Sequence, residues 1–178
     1  GGLVAARGVE IETGLGLIRV LGTGDDAIPD SWEKGAVLTV DLGGDDRYAG
    51  RQGVAPSSYQ PIGICVDVGG NDTYDLSNYT GGPVTVDLAP GGYSITSLAQ
   101  LANLGDNNFA RGNVFNALLY QDNTASLIEN AIGTLWGDTL SGNASANMFR
   151  GNAGNDTLSG HKGIDTLEGG SGSDTFIG

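Results

Sequence analysis

Glycine, polar and apolar positions recur on a fixed period in the last quarter of the chain. Read in nines from Gly151, the sequence gives GNAGNDTLS, GHKGIDTLE and GGSGSDTFI. Each line has Gly first and fourth, Asp sixth and a large apolar residue eighth. The frame extends back through GNASANMFR (Gly142 to Arg150) and GTLWGDTLS (Gly133 to Ser141), so five lines run unbroken to Ile177. The two upstream lines are worn: Asn147 replaces the sixth-place Asp, and Ser145 and Trp136 replace the fourth-place Gly. Each line predicts a very short strand of alternating pattern, its middle side chain inward, after a turn built from the residues before it.

The first 132 residues are less regular but share this vocabulary. VLTVDLGGDDRY (Val37 to Tyr48) and GICVDVGGNDTY (Gly63 to Tyr74) are two copies of one unit, offset by 26 residues from Asp41 to Asp67 and from Asp46 to Asp72. Each reads as an alternating β-branched strand running into a Gly-Gly-Asp/Asn-Asp turn. VTVDLAPGG (Val84 to Gly92) repeats the strand half, and GTGDDAI (Gly22 to Ile28) resembles the turn half. One stretch, SLAQLANLG (Ser97 to Gly105), reads as a helix with Gly105 as its C-cap. From there to Asn123 the sequence is Asn-rich and poorly periodic, which predicts a loop insertion.

Composition narrows what such a chain can meet. Glycine supplies 32 of 178 residues, against about 7% on average, and no Gly-X-Y period makes it collagen. Eight Lys and Arg stand against 21 Asp and Glu, a net charge of -13. That charge repels nucleic acid and anionic lipid and favours cations as partners. Carboxylates massed in this way also oppose compaction unless something neutralises them. Disorder would suit the charge but not the 39% hydrophobic content. Cys65 is alone, so no internal disulfide forms, and its apolar surroundings IGICVDV mark it as a packed thiol. No apolar stretch approaches the roughly 18 residues of a membrane span. With neither initiator Met nor signal peptide, the chain reads as a piece of something longer or a processed product.

The nonapeptide has a physical reading. Its glycines allow a turn that aims several carbonyl oxygens at one point, and the Asp adds a carboxylate there. Oxygen-only ligands in flexible geometry suit Ca²⁺ better than Mg²⁺, which dehydrates reluctantly. If two lines make one coil, each line stacks on the line 18 residues later. Leu140, Leu158 and Phe176 then form one inward ladder, and Phe149 and Leu167 the facing one. Asp138, Asp156 and Asp174 align along one edge, Asn147 and Asp165 along the other. Stacked carboxylates repel unless a divalent ion lies between them, so metal supplies what a larger core would supply elsewhere. The competing reading is a Gly-rich solenoid without metal, which leaves the sixth-place Asp unexplained.

These lines resemble the calcium-binding repeat of RTX proteins, a parallel β-helix. A wider resemblance covers about Val66 to Gly178. DVGGNDTYDLSNYTGGPVTVDLAPGGYS, GNVFNALLYQDNTASLIENAIG and the nonapeptides together resemble the C-terminal domain of serralysin-type secreted metalloproteases, IENAIG (Ile128 to Gly133) being especially characteristic. The resemblance implies an all-β parallel β-roll or β-helix solenoid, with several stacked Ca²⁺ in Gly-rich turns. It implies that Asp67, the Gly69 and Gly70 carbonyls and Asp72 form one ligand cluster, closed by Glu129 and the Leu127 carbonyl. Asp46 is the equivalent of Asp72 in the first unit. It further implies Thr134, Trp136 and Asp138 with Gly151, Ala153 and Asp156, and Asn152, Gly154 and Asp156 with Gly169, Ser171 and Asp174. The other edge would use Asn143, Ser145, Asn147, Gly160, Lys162 and Asp165. Two departures stand out. The spacing from GGND to IENAIG is longer than in that family, and the VDLGGDDRY unit looks like repeats of other bacterial β-solenoid proteins.

Catalysis is not expected on this chain. A zinc protease of this class needs HExxH and a third ligand, and His161 is the single histidine. GGSGS (Gly169 to Ser173) fails the GxSxG elbow at its last place. The pairs Asp25–Asp26 and Asp45–Asp46 lie in glycine turns and read as ion ligands or solvated acids rather than a glycosidase pair. Trp32 and Trp136 are of a type that stacks on sugars, although packing or partial burial is commoner. The expected organisation is an irregular β-rich segment over 1–65 with a GGDD-type repeat, a serralysin-like β region over 66–132 with an Asn-rich insertion, and the nonapeptide roll over 133–178. The expected function is a calcium-binding module of a secreted bacterial protein that folds on Ca²⁺ after export and supports an attached catalytic or adhesive domain. The type I secretion apparatus is its expected partner, and the location extracellular or cell-surface. The alternatives are a surface or matrix adhesin module and an accessory domain of a lipase or polysaccharide-modifying enzyme.

Overall fold

The computed structural model describes residues 9–13, 16–25, 27–28, 36–40, 42–49, 63–66 and 69–178. Its strands in chain order are β1 (Val9–Thr13), β2 (Gly16–Val20), β3 (Ala27–Ile28), β4 (Ala36–Val40), β5 (Arg47–Ala49), β6 (Gly63–Val66), β7 (Thr73–Asp75), β8 (Thr85–Asp87) and β9 (Tyr93–Ser94). They continue as β10 (Asn103–Gly105), β11 (Asn108–Phe109), β12 (Val114–Asn116), β13 (Asn130–Ile132), β14 (Thr139–Ser141), β15 (Met148–Ala153), β16 (Thr157–Ser159), β17 (Thr166–Ser171) and β18 (Thr175–Ile177). The fold is an all-β parallel β-roll. One sheet has the order β1-β2-β4-β6-β12-β9, a second β17-β15-β13-β7-β5-β3, a third β18-β16-β14-β8, and β10-β11 is a separate hairpin. All pairings in the second and third sheets are parallel.

Register follows the repeat. Thr157–Ser159 lies between Thr139–Ser141 and Thr175–Ile177, so each line stacks on the line 18 residues away. Two lines therefore make one coil. The middle side chains stack inward as two continuous ladders. One runs Tyr48, Tyr74, Ala131, Phe149, Leu167 along the second sheet. The other runs Val86, Leu140, Leu158, Phe176 along the third. The small Ala131 sits between two aromatic rungs, the alternation of large and small that lets layers interdigitate. All of these rungs but the exposed terminal Phe176 belong to, or pack against, one core with Leu21, Leu76, Val84, Leu88 and Val114. The strands of the third sheet are three residues long, as the pattern predicts, but β15 and β17 extend to six and run through the first-place glycine.

Two expectations for the middle of the chain are corrected. Ser97 to Gly105 is not a helix: it holds a single 3-10 turn, Leu98–Gln100, followed by β10. So short a segment cannot repay helix nucleation without a face to bury, and Leu98 is exposed. The side chain of Asn113 takes the backbone instead, accepting from Thr96 N (2.9 Å) and Ser97 N (3.0 Å) and donating to Gln100 O (3.1 Å). Gly105 does have positive φ, but in the β10–β11 hairpin. The Asn-rich stretch is also not all loop, since β12 pairs with β6 and β9 in the first sheet. Trp32, Asp26, Asp41 and Asp67 lie outside the described residues, as does the side chain of Cys65. No helix among the described residues is long and apolar enough to cross a membrane.

The ladders set an order of mutational cost. Leu158 is fully buried, whereas Phe176 is 54% exposed. Leu158→Ala is expected to cost about 2–5 kcal/mol and Phe176→Ala clearly less, in urea denaturation with calcium present. Equal costs would contradict the inward stacking.

Candidate metal centre

One hydrogen bond recurs at every sixth place of the third-sheet edge. Val84 N donates to Asp138 Oδ1 (2.8 Å), Asp138 N to Asp156 Oδ1 (2.7 Å) and Asp156 N to Asp174 Oδ1 (3.0 Å). The predicted row Asp138, Asp156, Asp174 is thereby brought together. The facing edge is longer than predicted. Asp46 N donates to Asp72 Oδ1 (2.8 Å), Asp72 N to Glu129 Oε2 (2.9 Å) and Asn147 N to Asp165 Oδ1 (2.9 Å). Asp46, Asp72, Glu129, Asn147 and Asp165 form one row, joining residues the sequence separates into two sites. These bonds commit one oxygen of each acid to a turn amide that the short strands leave without a ladder partner.

The second oxygen decides the chemistry. Asp156 is buried, and its Oδ2 has no hydrogen-bond partner. First-place glycine makes room for it: a Cβ on Gly151 would run into Asp156 Oδ2, and Gly160 and Gly169 stand in the same relation to Asp165 and Asp174. The fourth-place Gly154 (φ +115°) lies against the Trp136 carbonyl and the Gly137 amide one coil earlier, where a side chain has no space. The turns themselves stack in strand register, Asn152 on Gly170 and Ala153 on Ser171.

Second-place backbone separates the worn lines from the regular ones. Asn152, His161 and Gly170, the second places of the three regular lines, have φ of 76°, 67° and 99°. Thr134 and Asn143 are not among the positive-φ residues, and their amides turn onto their own sixth place. Thr134 N donates to Asp138 Oδ2 (2.5 Å), with Thr134 Oγ1 at 3.0 Å from both carboxylate oxygens. Asn143 N donates to Asn147 Oδ1 (3.0 Å). In the line of Asp156 the left-handed Asn152 sends its side-chain amide to Gly133 O instead (2.8 Å), which leaves the carboxylate open.

The remaining predicted residues distribute as follows. Gly69 accepts from Gly44 N (2.9 Å), so the two Gly-Gly turns stack, and Gly70 lies exposed beside them. Leu127 is buried next to the Glu129 turn. Ser145 donates its N–H to Asn143 Oδ1 (2.9 Å), and Lys162 is exposed. His161 is an exposed turn residue whose Nε2 is 2.8 Å from Ser141 Oγ. Sequence reasoning missed a second, exposed ladder that runs the other way: Asp45 N donates to Asp25 Oδ1, Asn71 N to Asp45 Oδ1 and Ser173 N to Asn155 Oδ1, at 3.0, 3.0 and 2.9 Å. Its signal is the Asp or Asn immediately before Asp26, Asp46, Asp72 and Asp156.

Among the described residues no three His, Cys, Asp or Glu side chains gather around one point. Along the row Asp138, Asp156, Asp174 each step sets two carboxylates one coil apart, hard-oxygen groups suited to Ca²⁺. Residues 137–167 and 150–178 match the RTX calcium-binding nonapeptide repeat, a family model of four copies. That match supports an RTX calcium-binding module over 137–178, with Ca²⁺ as its ion. A search of the curated proteins found no match.

Asp156 fits such an ion by its open oxygen and by its electrostatics. Burial raises its pKa, the hydrogen bond from Asp138 N lowers it, and the charges of Asp138 and Asp174 raise it again, with a net upward shift. A carboxyl with a folded pKa above its unfolded value stabilises the fold when protonated, and that contribution is lost as pH rises through the raised pKa. In chelator, acidification from neutral pH toward the carboxylate range is therefore expected to increase β content by far-UV circular dichroism, and Asp156→Asn to flatten the rise. In saturating Ca²⁺ the sign reverses, because proton and cation compete for one oxygen.

Proposed function

We propose that this chain is the calcium-binding, non-catalytic part of a secreted bacterial RTX protein that folds when it meets Ca²⁺ outside the cell. The observation that carries this reading is Asp156: a buried carboxylate with one open oxygen, in a row with two others, inside the lines that match the RTX repeat. With calcium scarce, Asp138, Asp156 and Asp174 repel along their edge and the thin core does not hold the lines from Gly151 onward. Bound Ca²⁺ supplies positive charge between stacked carboxylates and a centre for the turn carbonyls. The protein contributes the rest. First-place glycines keep the second carboxylate oxygen accessible, and sixth-place amides hold the acids in register. Export of a loose chain through a type I apparatus, followed by folding at millimolar calcium, would hinder backsliding and seed an attached domain. A serralysin-like parent suits the Val66 to Gly178 resemblance.

A second reading, a surface or matrix solenoid module, draws on the continuous ladder from Tyr48 through Tyr74 and Ala131 to Phe149, which joins the 26-residue units to the nonapeptide coils through β13. It requires the calcium-loaded chain to bind cells or matrix. The accessory reading requires that an attached enzyme refold faster beside this module.

Circular dichroism with added Ca²⁺ and then EGTA tests the shared claim, and unchanged β content would sink it. Asp156→Ala is expected to raise the calcium midpoint on the order of tenfold, about 1.4 kcal/mol. Asp165→Ala should shift it less, and the reverse order would show that the rows are assigned wrongly.

A further inference from the structure

The implied ligand set on the facing edge includes Asn143, Asn147 and Glu129, and there the geometry does not fit a cation. Asn147 is buried, and its side-chain amide points donors at oxygens: Nδ2 donates to Glu129 O (2.7 Å) and to Asn143 Oδ1 (3.2 Å). Asn143, also buried, donates through Nδ2 to Ile128 O (2.8 Å) and Leu88 O (3.3 Å). The backbone has adjusted to this. Met148 N, whose counterpart Thr157 N donates to Asp138 O, is taken by Asn130 Oδ1 (3.0 Å), leaving Glu129 O for the amide. The ladder has reversed polarity at this one step: the later side chain donates to the earlier backbone. Three backbone carbonyls at this step, Glu129 O, Ile128 O and Leu88 O, are held by side-chain N–H groups.

We propose that Asn143 and Asn147 close the step between the Glu129 turn and the Asn147 turn with amide hydrogens in place of an ion. This step takes no calcium and holds the start of the nonapeptide roll together before any calcium is bound. The inference rests on the calcium reading above for the lines from Gly151 onward, and it marks where that dependence begins. An amide and a carboxylate have nearly the same shape, so one substitution, Asn147→Asp, exchanges the two chemistries. It replaces the donor to Glu129 O with a charged acceptor. Three acids then stand in succession, Glu129, the introduced carboxylate and Asp165, as in the facing row.

The test uses the full chain as wild type, Asn147→Asp and Asn147→Ala, with calcium stoichiometry by equilibrium dialysis and thermal unfolding in EGTA and in Ca²⁺. Asn147→Asp is expected to bind one more calcium per chain than wild type. Its midpoint in EGTA should fall by roughly 5 °C or more, and calcium should restore it. Asn147→Ala should lose as much in EGTA, gain no ion and not be restored. A folded Asn147→Asp with wild-type stoichiometry, or an Asn147→Ala with an unchanged midpoint in EGTA, overturns the proposal. If wild type binds no calcium, the calcium reading fails, and amide closure is still decided by the Asn147→Ala midpoint. Should neither variant fold, heteronuclear NMR of wild type decides: slowly exchanging side-chain NH₂ groups of Asn143 and Asn147 in EGTA support the closure, and rapid exchange overturns it.

Discussion

Coil-to-coil spacing in this protein depends on a backbone N–H donated to an acid side chain one coil later. Strands of three residues satisfy few of their own turn amides, and an unpaired buried amide costs free energy comparable to a lost hydrogen bond. The sixth-place side chain meets that demand at Asp138, Asp156 and Asp174 on one edge and at Asp72, Glu129 and Asp165 on the other. A carboxylate is suited to this because it accepts only and has two oxygens. One is fixed by the backbone, and the other remains for whatever the turn presents. Ion binding is thus superimposed on a structural role, so Asp in the repeat is not there for metal alone.

That division explains the glycine content. First-place glycine at 151 is a matter of space, because the same line's carboxylate lies over it. Fourth-place glycine at 154 combines positive φ with close approach to the preceding coil. Gly151 also lies against the Gly169 carbonyl of the next coil, so both glycines serve contacts between coils, which is why one line has no stable structure to form alone. Solenoids of this kind gain stability from nearest-neighbour stacking rather than from a three-dimensional core. With a thin apolar centre, the polar ladders and the occupancy of their second oxygens carry a larger share of the stability than in a globular domain.

Periodicity made much of this legible from the residues. The 18-residue stacking, the two inward ladders and the row Asp138, Asp156, Asp174 follow from counting, because each rung recurs at the same interval. Where the interval breaks, counting is blind. Glu129 sits 57 residues after Asp72 and 54 separate Val84 from Asp138, and only packing brings these partners together. The stretch Ser97 to Gly105 has helical composition, yet Asn113, a residue beyond its end, holds its backbone in another shape. Asn147 occupies a ligand's place in the count. Whether an amide there accepts or donates depends on the groups it faces, and Glu129 O is available only through Asn130 and Met148.

The wear in lines 133–150 then has a physical sense. The regular lines have a left-handed second place, and in the line of Asp156 the sixth-place oxygen is open, so that line needs a cation or a proton to be stable beside its neighbours. Thr134 and Asn143 keep their amides turned inward and satisfy their own sixth places. A coil built this way rests on the irregular β-structure before it with its sixth-place oxygens already hydrogen-bonded. A chain with net charge -13 gains from such a coil: it offers a formed edge onto which the regular lines add as each carboxylate is neutralised. On this reading the loss of repeat consensus next to Glu129 is a requirement of the boundary, and restoring the consensus there would extend calcium dependence into the part of the fold that starts it.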